Sequence, residues 1–310
     1  MNQYVKQCRH QISGARVLLD AELVAQNLDT KAEWIMQHVR ENEWVTDGED
    51  NGWFNSYYDN HGQKVEGAHE NGVRMMLTGQ VFALMSKTAT PEQAEAICKS
   101  AKKYLYEKEV GGYRINTNFH EEKYDMGRMF GFAYGEKENG AVFSHMTVMY
   151  ANSLYQNGYA REGYIALQTL ADTSLNFEVS RMYPGIPEYF NAQGRGMYAY
   201  LTGAASWYML TVVTEVFGVK GELGNLALEP KLVKEQFDEK GEASVELIFA
   251  GSKLKVTYVN AQKKDFGEYK VAKASLDGKD VAIADNKAVI QREVIEKLSD
   301  ESHEILVTLE

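Results

Sequence analysis

The spacing of apolar residues changes once along this 310-residue chain, and the change limits what the chain can fold into. From about residue 28 to 217, apolar side chains recur every three or four positions, which is the period of an amphipathic helix. From residue 243 onward, short runs such as VELIF and LKVTYV indicate strands. A block of helices followed by a block of strands predicts a mainly α structure with a C-terminal antiparallel β-sheet domain. We expect residues 1–217 to form the helical domain and 218–310 the β domain.

Two helix starts carry recognisable capping residues. Thr30 is followed by Glu33, and Thr90 is followed by Pro91 and Gln93. In each case the hydroxyl can accept from a free backbone N–H of the first turn, and the acid or amide three positions on can accept from the N–H of the cap. The apolar period predicts further helices near residues 72–86, 145–157, 159–171 and 203–217.

Charge and composition argue against several classes of partner. The net charge of -11 would repel the phosphate backbone of a nucleic acid, which is bound through clustered Lys and Arg. No apolar run approaches the roughly 18 residues that a membrane span needs, and MNQYVKQCRHQISG lacks the apolar core of a signal peptide. We therefore expect a cytoplasmic protein without nucleic acid or membrane partners. Cys8 and Cys98 stand alone without ligand spacing, so the sequence predicts no metal and no cofactor.

Three segments between the predicted helices are rich in aromatic and acidic residues. They are WFNSYYDNHGQKVEG at 53–67, GRMFGFAYGEKENG at 127–140 and RMYPGIPEYFNAQGRGMYAYLTG at 181–203. Aromatic faces can stack on the C–H faces of a sugar, while carboxylates and amides can bind its hydroxyls. A single aromatic residue in a loop more often seals the end of a helix, so the indication of carbohydrate binding rests on all three segments together.

Two predicted helix starts could bind an anion. If a helix begins close to Ser144, His145 lies in its first turn, beside unpaired backbone N–H groups and the positive end of the helix dipole. Thr202 and Gly203 stand at the start of another helix, where a hydroxyl and a residue without Cβ would let an anion approach the backbone. Taken alone, Thr202 is more often a helix cap, and a single histidine such as His145 is more often structural.

The segments GEKENGAVFSH, PEYFNAQGRG and YLTGAASW together resemble the C-terminal part of the cellobiose phosphorylase family, glycoside hydrolase family 94. The likeness runs from about Asp47 to Pro230, and the loop sequences are more similar to those of the β-1,2-oligoglucan phosphorylases. The family consists of glycosyltransferase-type enzymes that cleave a β-linked glucoside with inorganic phosphate as co-substrate, inverting the anomeric centre and releasing a sugar 1-phosphate. The resemblance also implies part of an (α/α)6 toroid, about half of it, as the helical domain.

The resemblance suggests roles for six residues. It implies that His145, Thr202 and Gly203 surround the phosphate and that Lys137 and Glu138 lie near the sugar. Glu188, in PEYFN, is a further candidate for sugar binding. Two helix starts and a histidine could hold a phosphate dianion for in-line attack, since such catalysis consists largely of positioning and electrostatics.

The residue that should supply the proton is missing from the matched segments. In this family the general acid is an aspartate in an Asp-Trp-Asn-Asp type motif upstream of the matched segments, and no such motif occurs in the 310 residues. Cleavage of a glycosidic bond needs a proton for the leaving oxygen, so the chain alone should be a very poor catalyst, with no catalytic residue of its own. We expect a C-terminal part whose partner is the missing N-terminal half or a second copy of the chain.

Two other functions remain open from the sequence. An inverting hydrolase would need two carboxyl groups about 6.5–9.5 Å apart, and Glu138 and Glu188 are the candidates. A non-catalytic carbohydrate-binding protein could use the same aromatic segments without an acid. The products distinguish the three hypotheses, because they are a sugar 1-phosphate, free sugar only, or neither.

Overall fold

The structure is a computed structural model that describes residues 17–183, 185–199, 203–299 and 301–310. The chain divides into two compact units, Met1–Asn42 and Glu43–Glu310. Helices dominate up to residue 217 and strands dominate after it, which confirms the predicted order of a helical part and a β part. The boundary between domains at 217 and 218 stays a prediction.

The first unit contains one helix within its described residues, α1, Ala21–Asn42. Asp20 begins it, because Asp20 Oδ1 accepts hydrogen bonds from the N–H groups of Glu22 and Leu23 at 2.9 and 3.2 Å. The predicted helix start at Thr30 is therefore wrong. Thr30 lies within α1, and its hydroxyl donates to the carbonyl of Gln26 at 2.8 Å. A threonine in the middle of a helix can satisfy its hydroxyl in this way. A threonine followed three residues later by a glutamate therefore does not by itself mark the start of a helix.

The second unit holds the remaining helices. They are α2 Leu77–Met85, α3 Pro91–Tyr104, α4 Ser144–Gln156, α5 Ala160–Leu175, α6 Phe177–Ser180, α7 Gly203–Thr211 and α8 Arg292–Ile295. A π-helical turn, Val212–Val216, continues α7. The predicted start at Thr90 is confirmed, since Thr90 and Gln93 form both hydrogen bonds of a capping box.

Helix α4 is the centre of the helical part. Every residue from Thr147 to Tyr155 is buried, and the helix contacts α2, α5 and α7. A helix that is apolar on all sides is stable only when it is surrounded. Burying one large side chain such as Leu154 contributes roughly 1.5–3 kcal/mol, so this packing fixes the position of the first turn of α4.

Short strands connect the helices of the second unit. Three of the small antiparallel sheets pair β1 Trp44–Thr46 with β2 Gly52–Phe54, β3 Gly67–His69 with β4 Gly72–Arg74, and β5 Tyr106–Glu107 with β6 Gly112–Tyr113. A further sheet has the order β7 Val142–Phe143, β8 Tyr189–Phe190 and β9 Gly196–Met197. The predicted helix at 72–86 consequently begins later, at Leu77, after β4.

Two larger sheets form the C-terminal part. The four-stranded sheet has the order β10 Val219–Glu222, β11 Asn225–Leu228, β17 Lys287–Ile290 and β16 Ala282–Ala284. The five-stranded sheet has the order β12 Glu242–Phe249, β13 Ser252–Val259, β18 Ser302–Leu309, β14 Val271–Leu276 and β15 Lys279–Asp280.

The prediction of a purely antiparallel β domain is wrong for one pair of strands. Strands β13 and β18 are parallel, with Lys253 opposite Ser302 and Val259 opposite Thr308. Parallel neighbours need a long crossover connection, which residues 260–301 provide. Alternation of apolar and polar residues marks the buried face of a strand but carries no information about its direction, which is why the sequence did not indicate this pair.

The two threonines allow the capping assignments to be tested. We expect Thr90→Ala to lower the free energy of unfolding by about 1 kcal/mol, because it removes the acceptor for the N–H of Gln93. Thr30→Ala is the matched control and should change it by less than about 0.5 kcal/mol, since Thr30 lies on an exposed face inside α1. Urea unfolding followed by circular dichroism measures both, and a larger effect at Thr30 would contradict the assignment.

Candidate functional site

The sheet of β7, β8 and β9 brings distant predicted residues together. Val142 pairs with Phe190 and Phe143 pairs with Tyr189, so the segment that leads into α4 runs beside the PEYFN segment. The ladder continues for one more bond, because the N–H of Ser144 donates to the carbonyl of Glu188 at 3.0 Å. The first turn of α4, which carries His145, therefore adjoins the backbone of Glu188.

Lys137 and Glu188 form a partly buried ion pair. Lys137 Nζ lies 3.2 Å from Glu188 Oε2, and it also lies 3.9 Å from the centre of the Tyr198 ring. Desolvation disfavours the charged lysine, but the hydrogen bond to Glu188 and its negative charge outweigh this effect and raise the pKa of Lys137. The pair therefore presents a fixed cation, a carboxylate and an aromatic face at one place, as recognition of sugar hydroxyls requires.

Glu138 turns toward a different cation. Its Oε1 lies 3.2 Å from the guanidinium of Arg128, while its Oε2 is buried and has no hydrogen-bond partner among the described residues. Buried carboxylate oxygens are nearly always hydrogen-bonded, so an unpartnered one is a candidate contact for a ligand hydroxyl. Arg128 belongs to a short 3₁₀ segment, Tyr124–Gly131, and its guanidinium also covers the Phe132 ring at 5.2 Å.

A backbone and a side-chain hydrogen bond hold the GEKENG loop in one conformation. The N–H of Gly135 donates to the carbonyl of Asn139 at 2.7 Å, and the side-chain amide of Asn139 donates to the carbonyl of Phe132 at 2.8 Å. Gly140 has a φ of 77°, and a Cβ at this position would lie 2.1 Å from the Tyr134 ring. The loop that carries Lys137 and Glu138 is thus fixed at both ends, as a preorganised binding site requires.

His145 and Gly203 meet at the starts of two helices. A Cβ on Gly203 would lie 2.7 Å from His145 Cε1 and Nδ1, so the imidazole contacts the backbone where α7 begins. His145 Nε2 is buried without a hydrogen-bond partner within residues 17–183, 185–199, 203–299 and 301–310, and desolvation lowers the pKa of the ring. The imidazole is therefore neutral at pH 7 and has a ring nitrogen available to a ligand. The third predicted phosphate ligand, Thr202, lies outside the described residues.

Several contributors to this region were not predicted from the sequence. Tyr198 lies under Lys137, and Glu136 accepts from the hydroxyl of Tyr189 at 3.1 Å. Ser144 is fully buried, and its Oγ has no partner among the residues described. The acids and aromatics of these segments were recognised as a group, but their pairings depend on β8 lying beside β7, for which two-residue strands give no sequence signal.

Comparison with protein families identifies the group to which the chain belongs. The model for the catalytic domain of the glycosyl hydrolase 94 superfamily matches residues 18–218. The chain therefore belongs to the glycosyl hydrolase 94 superfamily, and the resemblance noted in the sequence is confirmed at the level of the family. The greater likeness to β-1,2-oligoglucan phosphorylases stays a prediction.

The chain is also similar to curated phosphorylases, although it is much shorter. It is 25% identical over 281 residues to solabiose phosphorylase of Paenibacillus borealis, covering 86% of this chain and 34% of that protein. It is 25% identical to cellobionic acid phosphorylase of Neurospora crassa, covering 63% of this chain and 25% of that one, and 24% identical to N,N'-diacetylchitobiose phosphorylase of Vibrio proteolyticus, covering 60% and 24%. The chain thus spans about a third or less of the length of these relatives.

The described residues contain neither a candidate membrane span nor a candidate metal site. Among the described residues, none of the helices combines the length and apolar character that crossing a membrane requires. The same residues include no group of three or more His, Cys, Asp or Glu placed to hold a metal ion. The expected cytoplasmic location and the expected lack of a metal or cofactor stay predictions.

Two histidines whose pKa values are shifted in opposite directions provide a test of the site. Burial lowers the pKa of His145 below its ordinary value of 6.5, and the hydrogen bond to Asp277 raises that of His303 above 6.5. We expect an NMR titration of the imidazole resonances to show this order. Equal pKa values, or the reverse order, would contradict the buried position of His145.

The same shift predicts a pH dependence of stability. Folded His145 binds a proton less tightly than it does in the unfolded chain, so its contribution to stability is present above about pH 6.5 and is lost as the pH falls through its folded pKa. We expect His145→Gln to reduce the loss of unfolding free energy between pH 7 and 5. His61→Gln, at an exposed turn, is the control that should leave this loss unchanged.

Proposed function

We propose that this chain is part of a glycoside phosphorylase that cleaves a β-linked glucoside with inorganic phosphate, inverts the anomeric centre and releases a sugar 1-phosphate. The observation that carries the proposal is the contact between His145 and Gly203 beside the Lys137–Glu188 ion pair. The ion pair is linked to α4, the helix of His145, by the backbone hydrogen bond from the N–H of Ser144 to the carbonyl of Glu188. The names of the relatives support it, since they are phosphorylases of solabiose, cellobionic acid and N,N'-diacetylchitobiose.

The phosphate in this proposal binds at the start of α7. Free N–H groups at a helix start attract anions, and Gly203 has no Cβ to keep an oxygen away from them. His145, which is neutral, donates one ring N–H to a phosphate oxygen, and the hydroxyl of Thr202 supplies another donor. In this arrangement no basic side chain is required for contact, because the helix start provides the positive potential.

The sugar in this proposal binds beside the GEKENG loop. Its hydroxyls donate to the unpartnered Oε2 of Glu138 and to the carboxylate of Glu188, and Lys137 donates to a sugar oxygen. Both carboxylates are already paired with cations at 3.2 Å, Glu138 with Arg128 and Glu188 with Lys137. This pairing suits recognition of hydroxyls better than the acid and base of an inverting hydrolase, and we therefore prefer the phosphorylase.

The proposal gives no residue of this chain the role of general acid. We expect the proton donor for the leaving oxygen to come from outside the matched segments, either from another segment of the protein or from a partner. We propose that helices within 1–217 form about half of an (α/α)6 toroid, and that 218–310 forms the accompanying β domain. The substrates are then a β-linked gluco-oligosaccharide or disaccharide and phosphate.

The proposed function can be tested by completing the protein. The chain is joined to the upstream segment of its own gene and assayed with phosphate and a panel of β-glucosyl disaccharides. We expect a sugar 1-phosphate from at least one of them, and a loss of activity in His145→Ala. Release of free sugar without sugar 1-phosphate would favour a hydrolase instead and contradict the proposal.

The role of Glu138 has its own test in the completed enzyme. Glu138→Gln should weaken sugar binding by about 1.5–3 kcal/mol, because charge-assisted hydrogen bonds are replaced by weaker neutral ones. The Michaelis constant for the sugar and the thermal midpoint are both measured. Glu95→Gln, which removes an exposed pair with Lys99, is the control and should change neither strongly. A lowered midpoint with an unchanged Michaelis constant would mean that Glu138 only holds the loop.

A further inference from the structure

Three side chains in the C-terminal part form a hydrogen-bonded line that the proposed phosphorylase does not use. Ser299 Oγ lies 3.2 Å from His303 Nε2, and His303 Nδ1 lies 2.7 Å from Asp277 Oδ2. Nδ1 thus has a carboxylate partner, and Nε2 has the hydroxyl of Ser299 and, at 3.4 Å, the carbonyl of the same residue. A nucleophile, a base and a group that orients the base, each within hydrogen-bond reach, constitute the arrangement of nucleophilic hydrolases.

The carboxylate at the end of this line is held in place. Asp277 and Gly278 form the tight turn between β14 and β15, with φ values of 48° and 76°. Asp277 Oδ1 accepts from the N–H of Glu304 at 2.9 Å, and the N–H of Asp277 donates to the carbonyl of Glu304 at the same distance. In the neutral ring that donates Nδ1–H to Asp277, Nε2 carries a lone pair and accepts from the hydroxyl of Ser299. In the protonated ring, Nε2–H faces the carbonyl of Ser299 at 3.4 Å.

A cavity of about 460 Å³ lies beside Asp277. Asp277 and Leu298, the residue before Ser299, both line it, so that Ser299 stands at its edge. Most of its other lining is aliphatic and comes from the two sheets and α8, as with Leu276, Val281, Ile290 and Val294, and its polar lining consists of Lys279, Asp280, Gln291 and Lys297. None of the described residues that line it is aromatic, so it suits an aliphatic chain better than a sugar. Ser299 is exposed, and a substrate can therefore reach its hydroxyl from solvent.

We propose that Ser299, His303 and Asp277 form a second, hydrolytic centre that cleaves carboxylic esters whose acyl chain enters this cavity. His303 Nε2 takes the proton of the Ser299 hydroxyl while Oγ bonds to the ester carbonyl carbon. The C–O bond to the alcohol breaks, and the alcohol leaves with the proton from the imidazolium. Water then adds to the acyl-serine with His303 as base, which releases the carboxylic acid and restores the serine. The N–H of Glu301, which donates to Ser299 Oγ at 3.3 Å in the structure, becomes the donor for the oxyanion when Oγ bonds to the carbonyl carbon.

The charges around His303 determine the pH dependence of this centre. Asp277 raises the pKa of His303 through its hydrogen bond and charge, and Glu301 acts in the same direction, while Lys279 lies near Asp277. Only the neutral imidazole can take a proton from Ser299. The reactivity of Ser299 should therefore rise with pH as His303 loses its proton, and Asp277→Asn should move this rise to lower pH and lower the maximum rate.

A fluorophosphonate probe tests the proposal on the chain as it is. We expect the probe to label the purified protein at Ser299, with the site mapped by mass spectrometry, and p-nitrophenyl decanoate to be hydrolysed. Ser299→Ala should abolish both signals, and His303→Gln should lower the labelling rate by about 100-fold, as expected for loss of a general base. Ser86→Ala, at another exposed serine, is the matched control and should leave both unchanged.

Two results would overturn the proposal. If the wild-type protein is not labelled at Ser299, the serine is not activated, whatever the variants do. If His303→Gln retains its fold by circular dichroism and Ser299 is still labelled at the wild-type rate, the three residues only tie β18 to the turn after β14. Ser299→Ala changes one exposed side chain and should keep its fold, so loss of hydrolysis in that variant with an unchanged thermal midpoint supports the proposal.

Discussion

The backbone pairing of β7 with β8 is the constraint on which the candidate site depends. It aligns Phe143 with Tyr189 and ends in the hydrogen bond from Ser144 to the carbonyl of Glu188, immediately before α4 begins. On one side α4 is held by its buried length, and on the other the sheet holds the PEYFN segment. The side chains of Lys137, Glu188 and His145 are therefore positioned by backbone structure. Binding of a ligand then costs little further side-chain conformational entropy.

The sugar-binding candidates and the surroundings of His145 differ in their charges. Near the sugar-binding candidates, Lys137 pairs with Glu188 and its sequence neighbour Glu138 pairs with Arg128. Around His145, burial keeps the ring neutral, and its Nε2 has no partner among the described residues. A paired polar surface beside a neutral imidazole at a helix start suits a sugar next to an anion, and this contrast supports the proposed phosphorylase.

The sequence predicted the long elements and the meeting of two helix starts but not the short-range pairings. Period and capping residues located α3 at Thr90, and the expectation that His145 and Gly203 converge agrees with their contact. The capping sequence at Thr30 misled because a hydroxyl inside a helix bonds equally well to the preceding turn. Strands of two or three residues show no alternation, and a parallel pair such as β13 and β18 has the same pattern as an antiparallel one, so only tertiary contacts reveal them.

The most direct measurement of the central claim is a phosphate titration followed at the ring nitrogens of His145 by NMR. The account predicts a saturable shift of these resonances with inorganic phosphate and no comparable shift with chloride at the same ionic strength. In Gly203→Ala the shift should be lost, since the added Cβ would lie 2.7 Å from the imidazole and must push it away from the start of α7. A response that is linear, equal for the two anions, or unchanged in Gly203→Ala would contradict a phosphate site at these helix starts.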